Sequence, residues 1–250
     1  MYESPFFKKF PQQESSFVDD NGIERRYRFP SFYESSRAMN LIIPCSYGKA
    51  RSILPSKKLF PVPVGIGKAL AVVAAFEYLN PQGMDPYQEV LFGIPVLHRL
   101  TGSALPLPGL YVHKLIVDKE ENVQRGKHLW GMDKSMGEFR FFDAGDYRVC
   151  EVERNGRRTI RIEVPRKGKS RQFEESRRLI TVKDGNLLRS KTAMSGRKID
   201  HRNEGGVLLG ADPFAVEIDS LNISARPMTA NYYPAVDQTM GLPMESESLK

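Results

Sequence analysis

The stretch Arg154-Asn155-Gly156-Arg157-Arg158-Thr159-Ile160-Arg161-Ile162-Glu163-Val164 indicates the fold class. Asn-Gly is a strong hairpin signal because both residues readily adopt the positive φ angles of a tight turn. After the turn, apolar residues at 160, 162 and 164 alternate with polar residues at 161 and 163. This alternation is typical of a strand that buries one face. The stretch therefore predicts a β-hairpin.

The same signals occur along most of the chain. Asp184-Gly185 lies between the apolar runs 179–182 and 187–188, which predicts a second hairpin. Four further strand candidates are Arg25–Tyr33, Ala69–Leu79, Glu89–Leu97 and Leu110–Val117. Many strands joined by tight turns predict a mostly β fold, either a barrel or a curved sheet.

Helix signals are few. Ser35 or Ser36 is a candidate N-cap for a helix that ends before Pro44, and Asp212 followed by Pro213 predicts a helix over residues 214–221. We therefore expect a few short helices at the periphery of the β structure.

The composition is that of one globular domain. The 250 residues are 40% hydrophobic and 27% charged, an ordinary globular balance. No repeat or linker divides the chain, so we expect a single domain over residues 1–250. Residues 1–22 are predicted to form an N-terminal arm or extended edge, and residues 241–250 a flexible tail.

The sequence favours a cytoplasmic protein without a metal or disulfide. Its longest apolar run, Ala69–Phe76, has eight residues, whereas a membrane helix needs roughly 20. The first five residues lack the regions of a signal peptide. Cys45 and Cys150 have no CxxC spacing, and the four histidines show no i,i+4 pairing.

Positive charge is concentrated between Arg154 and Arg202, where 16 Lys and Arg face 5 Asp and Glu. Such a segment can mark a nucleic-acid surface. No nucleic-acid motif accompanies it, so we favour outer strand faces or an oligomer contact, and we expect no nucleic-acid partner.

One segment carries candidate chemistry. Between residues 126 and 136, Lys134 lies among Trp130, Met132 and Met136. Apolar surroundings disfavour the charged form of a lysine, which makes a nucleophilic amine available. The alternative is a solvated lysine in a turn, which is the usual place for a lysine.

This segment resembles the acetoacetate decarboxylase family. That family has a Tyr-x-His strand and then a Gly-x-x-Leu-x-x-x-x-Lys segment that carries its Schiff-base lysine. Here Tyr111-Val112-His113 precedes Gly126-Lys127-His128-Leu129, and the ninth residue from Gly126 is Lys134. Upstream, Tyr87-Gln88-Glu89 followed by Ile94-Pro95-Val96 resembles the Tyr-x-Glu…Ile-Pro-Val that carries the family's active-site glutamate.

The resemblance implies a cone-like, largely antiparallel β-barrel with a buried pocket. It implies that Lys134 is the catalytic nucleophile and that Glu89 orients groups or moves a proton near the imine. Arg25, at the start of Arg25-Arg26-Tyr27, resembles the family arginine that holds the pocket or the substrate carboxylate. Tyr87 would form a pocket wall, and Trp130 and Met132 would contact the substrate. The lysine itself supplies the imine, so no cofactor is implied.

The family also implies a reaction and a partner. A β-keto acid or related keto acid would form an imine with the lysine and lose carbon dioxide, which makes the protein a carbon–carbon lyase. In acetoacetate decarboxylase the lysine is activated by desolvation or by a neighbouring cation. Homo-oligomers are common in the family, and we expect one here.

Three departures from the family pattern leave the substrate open. Ser135 replaces a second lysine, and Asp133 replaces a proline. A carboxylate at 133 that pointed inward would favour the ammonium form of the lysine. A second family glutamate is absent from the apolar run 72–75, and the nearest acid, Glu77, is a candidate substitute for it.

Other functions therefore remain open. Family members that resemble aldolase-dehydratases keep the lysine and change the substrate. A non-catalytic barrel that binds a small apolar or carboxylate ligand is a second alternative, and a nucleic-acid-binding β protein is a third.

Overall fold

The two predicted hairpins are present in the structure, a computed structural model that describes residues 4–99 and 106–249. Asn155 and Gly156 have φ angles of 53° and 68°, and Asp184 and Gly185 have 50° and 72°. Positive φ at both central positions is the signature of a type I′ turn, which matches the twist of the flanking strands. Local sequence therefore determines both of these connections.

The described residues form sixteen strands, three α-helices and one 3₁₀ turn, Phe7–Lys9. The strands are β1 Gln13–Val18, β2 Glu24–Phe29, β3 Ser31–Ser46, β4 Leu59–Pro61, β5 Lys68–Tyr78, β6 Asn80–Pro81, β7 Tyr87–His98, β8 Leu107–Val117, β9 Lys134–Met136, β10 Glu138–Ala144, β11 Tyr147–Arg154, β12 Arg157–Pro165, β13 Ser170–Lys183, β14 Asn186–Arg202, β15 Gly206–Leu209 and β16 Thr229–Ser248. The helices are α1 Tyr47–Ser52, α2 Glu120–Trp130 and α3 Pro213–Ser220.

Seven strands close a barrel. Their order is β7-β5-β3-β16-β14-β13-β8, and β8 pairs back onto β7. The pairing is antiparallel except between β8 and β13, where only Leu110↔Leu179 and Tyr111↔Ile180 are paired in parallel register. This confirms the predicted mostly β, largely antiparallel barrel with a few short helices.

A second sheet, β10-β11-β12-β15, packs on one face of the barrel wall. On β5, Ala71 and Val73 pack in a core shared with Val152 and Ile160 of that sheet, while Val72 belongs to a separate cluster inside the barrel. Successive side chains of a strand face opposite sides. The continuous apolar run of β5 is therefore a strand that is buried on both faces.

Strands lie near both ends of the described chain. The arm contains β1, which pairs with β2, and Phe7, which stacks on Phe32 with ring centroids 4.5 Å apart. The expected flexible tail over residues 241–250 does not hold for residues 241–248, because β16 continues through them and pairs with β14. The long strand β16 needs this partner for its backbone hydrogen bonds.

Two local predictions about helices have opposite outcomes. Asp212 caps α3 as expected, because its Oδ1 accepts the Phe214 N–H at 2.9 Å. The helix predicted from Ser35 or Ser36 to Pro44 is wrong, because these residues lie in the sixteen-residue strand β3. Ser35 instead has a φ of 54°, which interrupts the strand pairing rather than starting a helix.

Much of the positive charge in residues 154–202 is paired within the chain. Arg154 bonds to Asp212 at 3.1 Å, Arg171 to Asp200 at 2.7 Å, and Lys167 to Asp146 at 2.5 Å. These contacts support an interpretation as outer strand faces. Of the helices in the described part of the chain, none has both the length and the apolar character needed to cross a membrane.

Candidate active site

A cavity of about 90 Å³ lies inside the barrel, on the face of β5 and β7 away from the second sheet. Five of the six predicted site residues line this cavity. They are Lys134, Glu89, Tyr87, Trp130 and Met132. Sites for drug-sized ligands have roughly 300–1,000 Å³, so this cavity suits a molecule of a few non-hydrogen atoms.

Lys134 and Glu89 form a buried pair. The Lys134 Nζ donates to Glu89 Oε2 at 2.5 Å, and their side chains are 7% and 8% exposed. Glu89 lies opposite Val117 in the β7–β8 register, and Lys134 lies opposite Leu115 in the β8–β9 register. Alternation places Leu115 and Val117 on one face of β8. Three adjacent strands therefore bring the lysine and the carboxylate together.

Helix α2 fixes the position of Lys134. A Cβ at Gly126 would lie 2.5 Å from the Cε of Lys134, so only glycine leaves room for the extended lysine chain along the helix. Gly131 ends α2 with a φ of 63°, the left-handed conformation typical of a glycine C-cap. A Cβ there would approach the Val182 carbonyl oxygen to 2.2 Å. Gly131 is therefore required by the backbone geometry, whereas Gly126 leaves room for the side chain of Lys134.

The two residues beside Lys134 do not line the cavity. Asp133 is exposed, and its carbonyl accepts the Leu115 N–H at 2.9 Å. The Ser135 hydroxyl donates to the carbonyl of Leu115 at 3.4 Å. The carboxylate of Asp133 therefore lies outside the cavity that holds the amine.

Arg125 is a cavity residue that the sequence analysis missed. It lies on α2, is 2% exposed and lines the cavity with Lys134. Its Nη1 donates to the Tyr33 hydroxyl at 3.3 Å, its Nη2 donates to the hydroxyl of Ser31, and its Nε has no hydrogen-bond partner. Within residues 4–99 and 106–249, no carboxylate forms an ion pair with it. An unneutralised buried cation of this kind is suited to binding an anion.

Aromatic rings surround the guanidinium. Its Cζ lies 4.7 Å from the ring centroid of Tyr27, 5.6 Å from that of Phe29 and 5.3 Å from that of Trp130. Burial acts to lower the pKa of Arg125, but the nearby oxygens of Tyr33 and Tyr87 outweigh it and raise that pKa above its usual value. The guanidinium therefore stays charged, held by cation–π contacts and hydroxyl groups.

The structure places Arg25 outside the cavity, contrary to the expectation from the resemblance. Its Nε donates to Asp19 Oδ2 at 3.0 Å, and its side chain is 39% exposed. Alternation places Arg25 on the same face of β2 as Tyr27 and Phe29, whose rings contact Arg125. Arg25 comes two residues before Tyr27, towards the start of the strand. Arg125, and not Arg25, thus lines the cavity beside these rings.

Glu77 does not replace the missing second glutamate either. It bonds to Arg148 Nη2 at 2.6 Å and lies on the opposite face of β5 from Phe76 and Tyr78, which line the cavity. Glu89 is the only carboxylate among the described residues that line the cavity. Any proton exchanged with the lysine by a carboxyl group there must therefore involve Glu89.

Three tyrosines form one wall. The ring centroid of Tyr78 lies 4.6 Å from that of Tyr33 and 4.5 Å from that of Tyr87. Burial, with a smaller contribution from the charge of Glu89, raises the pKa of Tyr78 and that of Tyr87 well above the usual value. Both phenols therefore remain protonated at neutral pH. Among the described residues no cluster of His, Cys, Asp and Glu is arranged to hold a metal ion.

The cavity thus holds a buried amine beside a carboxylate, with a charged guanidinium in its wall. The model of the acetoacetate decarboxylase family matches residues 11–205. The chain therefore belongs to the acetoacetate decarboxylase family, whose members are enzymes that act on small keto acids. No curated protein matches the sequence significantly.

Several solved structures share this fold. Acetoacetate decarboxylase from Legionella pneumophila superposes with a TM-score of 0.67 at 13% identity, over 87% of this chain and 88% of that chain. The enduracididine biosynthesis enzyme MppR, complexed with pyruvate, gives 0.57 at 16% identity, over 88% and 90%. An acetoacetate decarboxylase-like enzyme from Sphingomonas wittichii gives 0.53 at 16%, over 85% and 91%. At these identities the likeness establishes the fold.

Proposed function

We propose that the protein is a carbon–carbon lyase that forms a Schiff base between Lys134 and a small keto acid. The observation that carries this proposal is the buried contact of 2.5 Å between Lys134 Nζ and Glu89 Oε2, in a cavity that also holds the charged Arg125. Membership of a family that acts on keto acids supports it.

Glu89 makes the amine nucleophilic in this proposal. Transfer of one proton along the hydrogen bond from Lys134 to Glu89 leaves a neutral amine and a neutral carboxylic acid. Burial of two charges is costly, so a dry cavity favours this exchange more than water does. The lone pair of Nζ then forms a bond to the ketone carbon. Glu89 returns its proton to the oxygen of the adduct, and one of the two protons on Nζ then moves to the same oxygen by way of the Glu89 carboxylate. The oxygen leaves as water, and the product is a protonated imine.

The imine then accepts electrons. When the bond between the carboxylate and the adjacent carbon breaks, its electron pair forms the enamine and neutralises the imine nitrogen, and carbon dioxide leaves. A proton adds to the enamine carbon, and water hydrolyses the imine to a ketone and free Lys134. The sequence of steps needs no further reagent. Tyr87, Trp130 and Met132 form walls that exclude bulk water from it.

Arg125 takes the carboxylate-binding role that the resemblance assigns to Arg25. A guanidinium binds a carboxylate with two parallel charge-assisted hydrogen bonds, and the Nε of Arg125 has no partner to give up. The ketone would then lie at Lys134 and the acid group at Arg125.

Arg125 also favours a second function, aldol-type chemistry. An arginine that holds the carboxylate stabilises its negative charge, and this interaction is lost when the group leaves as neutral carbon dioxide. In an aldol-type reaction of a 2-keto acid the carboxylate is retained, so its interaction with Arg125 is equally strong in the ground state and in the transition state. The interaction then neither lowers nor raises the activation barrier. The enamine carbon then attacks an aldehyde instead of taking a proton.

The test is to trap the imine. The protein is incubated with acetoacetate or, separately, with pyruvate under borohydride reduction, and the adduct is located by intact mass and peptide mapping. We expect a covalent adduct on Lys134 that is absent from Lys134→Ala, while the control Lys127→Ala, which removes an exposed lysine of α2, retains it. Release of carbon dioxide from acetoacetate identifies a decarboxylase, and its absence with a pyruvate adduct identifies the aldol-type enzyme.

Two results contradict the proposal. One is an adduct that persists in Lys134→Ala at the same yield. The other is the absence of an adduct across a broad panel of keto acids, which leaves the non-catalytic ligand-binding barrel as the function. Thermal unfolding of Lys134→Ala followed by circular dichroism verifies that the variant is folded.

A further inference from the structure

The barrel wall has an opening between β8 and β13. These strands pair at only two positions, residues 110–111 with 179–180. Residues 176–178 of β13 lie beyond this short contact, and a groove of about 570 Å³ occupies the space between them and residues 108–110 of β8. Val72, Leu110 and Arg177 line both this groove and the inner cavity. The groove is therefore adjacent to the cavity that holds Lys134, with these three side chains at the boundary.

Positive charge surrounds the opening. Arg177, Arg178 and Lys191 line the groove, and no acidic residue is among its described lining residues. Arg177 is partnered by Glu175. Arg178 and Lys191 are exposed, and within residues 4–99 and 106–249 neither forms an ion pair with a carboxylate. Arg178 and Lys191 are thus two cations of the groove without a neutralising partner.

Arg178 and Lys191 are also directly opposite each other in the β13–β14 register. Like charges in opposite positions of an antiparallel pair are destabilising. Several basic residues elsewhere in this segment have acidic partners, as Arg154, Arg171 and Lys167 do. An anion bound between Arg178 and Lys191 would remove the repulsion, and a cleft lined by one sign of charge raises the local concentration of such an anion.

The size of the inner cavity indicates which part of a substrate lies beside Lys134 and which part extends into the groove. Its volume of about 90 Å³ accommodates the keto acid portion of a molecule, and the groove accommodates a longer remainder. We propose that the substrate is a keto acid with a second anionic group, a carboxylate or a phosphate, that binds Arg178 and Lys191 in the groove. This inference rests on the proposed function, because it places the ketone of the same molecule at Lys134.

The experiment compares three probes of equal chain length. They are 3-oxohexanoate, with a neutral end, 3-oxoadipate, with a second carboxylate, and a 3-oxo acid with a terminal phosphonate. For each probe, the initial rate of borohydride-trapped adduct on Lys134 is measured against concentration. The proteins are the wild type, the double variant Arg178→Ala/Lys191→Ala, and the control Lys57→Ala/Arg157→Ala, which removes two exposed cations elsewhere.

We expect the wild type to reach half-saturation at about fivefold to tenfold lower concentration with a doubly charged probe, because two exposed charge pairs each contribute modestly. The double variant loses this preference and keeps the wild-type response to 3-oxohexanoate, whereas the control variant keeps the preference. Raising the salt from about 0.05 to about 0.5 M reduces it, because exposed charges are screened. The better of the two charged probes identifies the anion.

Equal half-saturation for the neutral-ended and charged probes in the wild type overturns this inference, and so does a preference that survives in the double variant. In both cases adducts on Lys134 still form, so the proposed function stands. Absence of an adduct with all three probes, together with acetoacetate and pyruvate, overturns the proposed function and this inference with it.

Discussion

The two buried arginines of the described chain, Arg125 and Arg148, have different hydrogen-bond partners. Arg148 bonds to Glu77 at 2.6 Å and to Asp143 at 3.0 Å. Arg125 is bonded only to the hydroxyls of Tyr33 and Ser31 and to the sulfur of Met84. A buried charge without a counter-ion costs several kcal/mol. A bound anion offsets this cost, so the folded protein is expected to bind anions in the cavity.

Replacement of Arg125 tests its role at the level of one residue. Arg125→Met removes the charge and keeps much of the side-chain volume. Hydrogen bonds to charged groups contribute about 1.5–3 kcal/mol, so we expect half-saturation of Lys134 trapping to need roughly tenfold to 100-fold more keto acid. Trapping of acetone, which has no carboxylate, is expected to change little. The measurement is the concentration dependence of the reduced adduct for both ketones.

Arg26→Met is the matched control for this variant, because Arg26 lies on β2 with its side chain 72% exposed. It is expected to behave as wild type with both ketones. An equal loss for acetone and keto acid in Arg125→Met would show that Arg125 supports the fold of the cavity and does not bind the carboxylate.

The sequence identifies those cavity residues that belong to short motifs. Lys134 and Glu89 are identifiable from short motifs, and both line the cavity. Arg25 also belongs to a motif near the start of the chain, but its Asp19 partner, six residues away, holds it at the periphery. Arg125 has no motif. Its burial depends on the packing of α2 against β2, which is long-range information that a single sequence does not contain.

At the scale of elements, helix α2 accounts for most of what the sequence analysis missed. Three residues of α2 have helical spacing, namely Arg125, Leu129 and Trp130. Only two of them are apolar, and the polar or small residues 126–128 lie between them, so the sequence shows no clear apolar helix face. Glycine in a helix costs about 1 kcal/mol relative to alanine, so the pattern favours a turn. In the structure, Lys134 occupies the space that a side chain at position 126 would fill, which accounts for a glycine within the helix.

The close approach of α2 to Lys134 leads to a prediction for this element. Gly126→Ala places a methyl group within 2.5 Å of Lys134 Cε, and the flexible lysine chain must move away. Alanine also favours the helix by about 1 kcal/mol, so stability is expected to stay near the wild-type value. We expect the rate of imine trapping to fall by about tenfold or more, since small misplacements of reacting groups are costly. Urea unfolding and borohydride trapping measure the two quantities.

Gly48→Ala is the control, because Gly48 lies in the helix α1 and a Cβ there meets nothing within 4 Å. It is expected to leave trapping unchanged. A Gly126→Ala protein that traps keto acid at the wild-type rate would show that the lysine can tolerate a shifted position.

Strand β3 shows a different limit of sequence reading. Ser35 and Ser36 are good helix caps, and residues 38–43 are compatible with a helix or a strand. Pairing decides the outcome, because β3 is hydrogen-bonded to β5 on one side and to β16 on the other. Both partners are distant in sequence, so tertiary contacts override the local cap signal.

At the scale of the molecule, closing the barrel buries polar groups that the unfolded chain exposes. The phenols of Tyr78 and Tyr87 are the clearest case, because burial raises the pKa of each well above its ordinary value. An unfolded tyrosine has a pKa of about 10. Above that pH the unfolded chain releases protons that the folded protein retains, so the free energy of unfolding decreases as pH rises.

Alkaline unfolding therefore tests the buried tyrosine wall. We expect the urea midpoint of the wild type to fall between about pH 9 and about pH 11, on either side of the pKa of an unfolded tyrosine. Tyr78→Phe removes one buried ionisable group, so its midpoint is expected to fall less over the same range. The slope against pH is the quantity to compare.

Tyr147→Phe is the control, since Tyr147 is 36% exposed, and its slope is expected to match the wild type. Equal slopes for Tyr78→Phe and the wild type would show that the wall opens to solvent before the barrel unfolds.

Trp130 is the only tryptophan in the chain. Its indole N–H donates to the Gly241 carbonyl at 2.9 Å, and its ring lies against the guanidinium of Arg125 inside the cavity. All indole fluorescence of the protein therefore originates at the wall of the candidate site. A change in emission intensity or wavelength on adding a keto acid would report filling of the cavity directly, without a label, and even in variants that cannot form the covalent adduct.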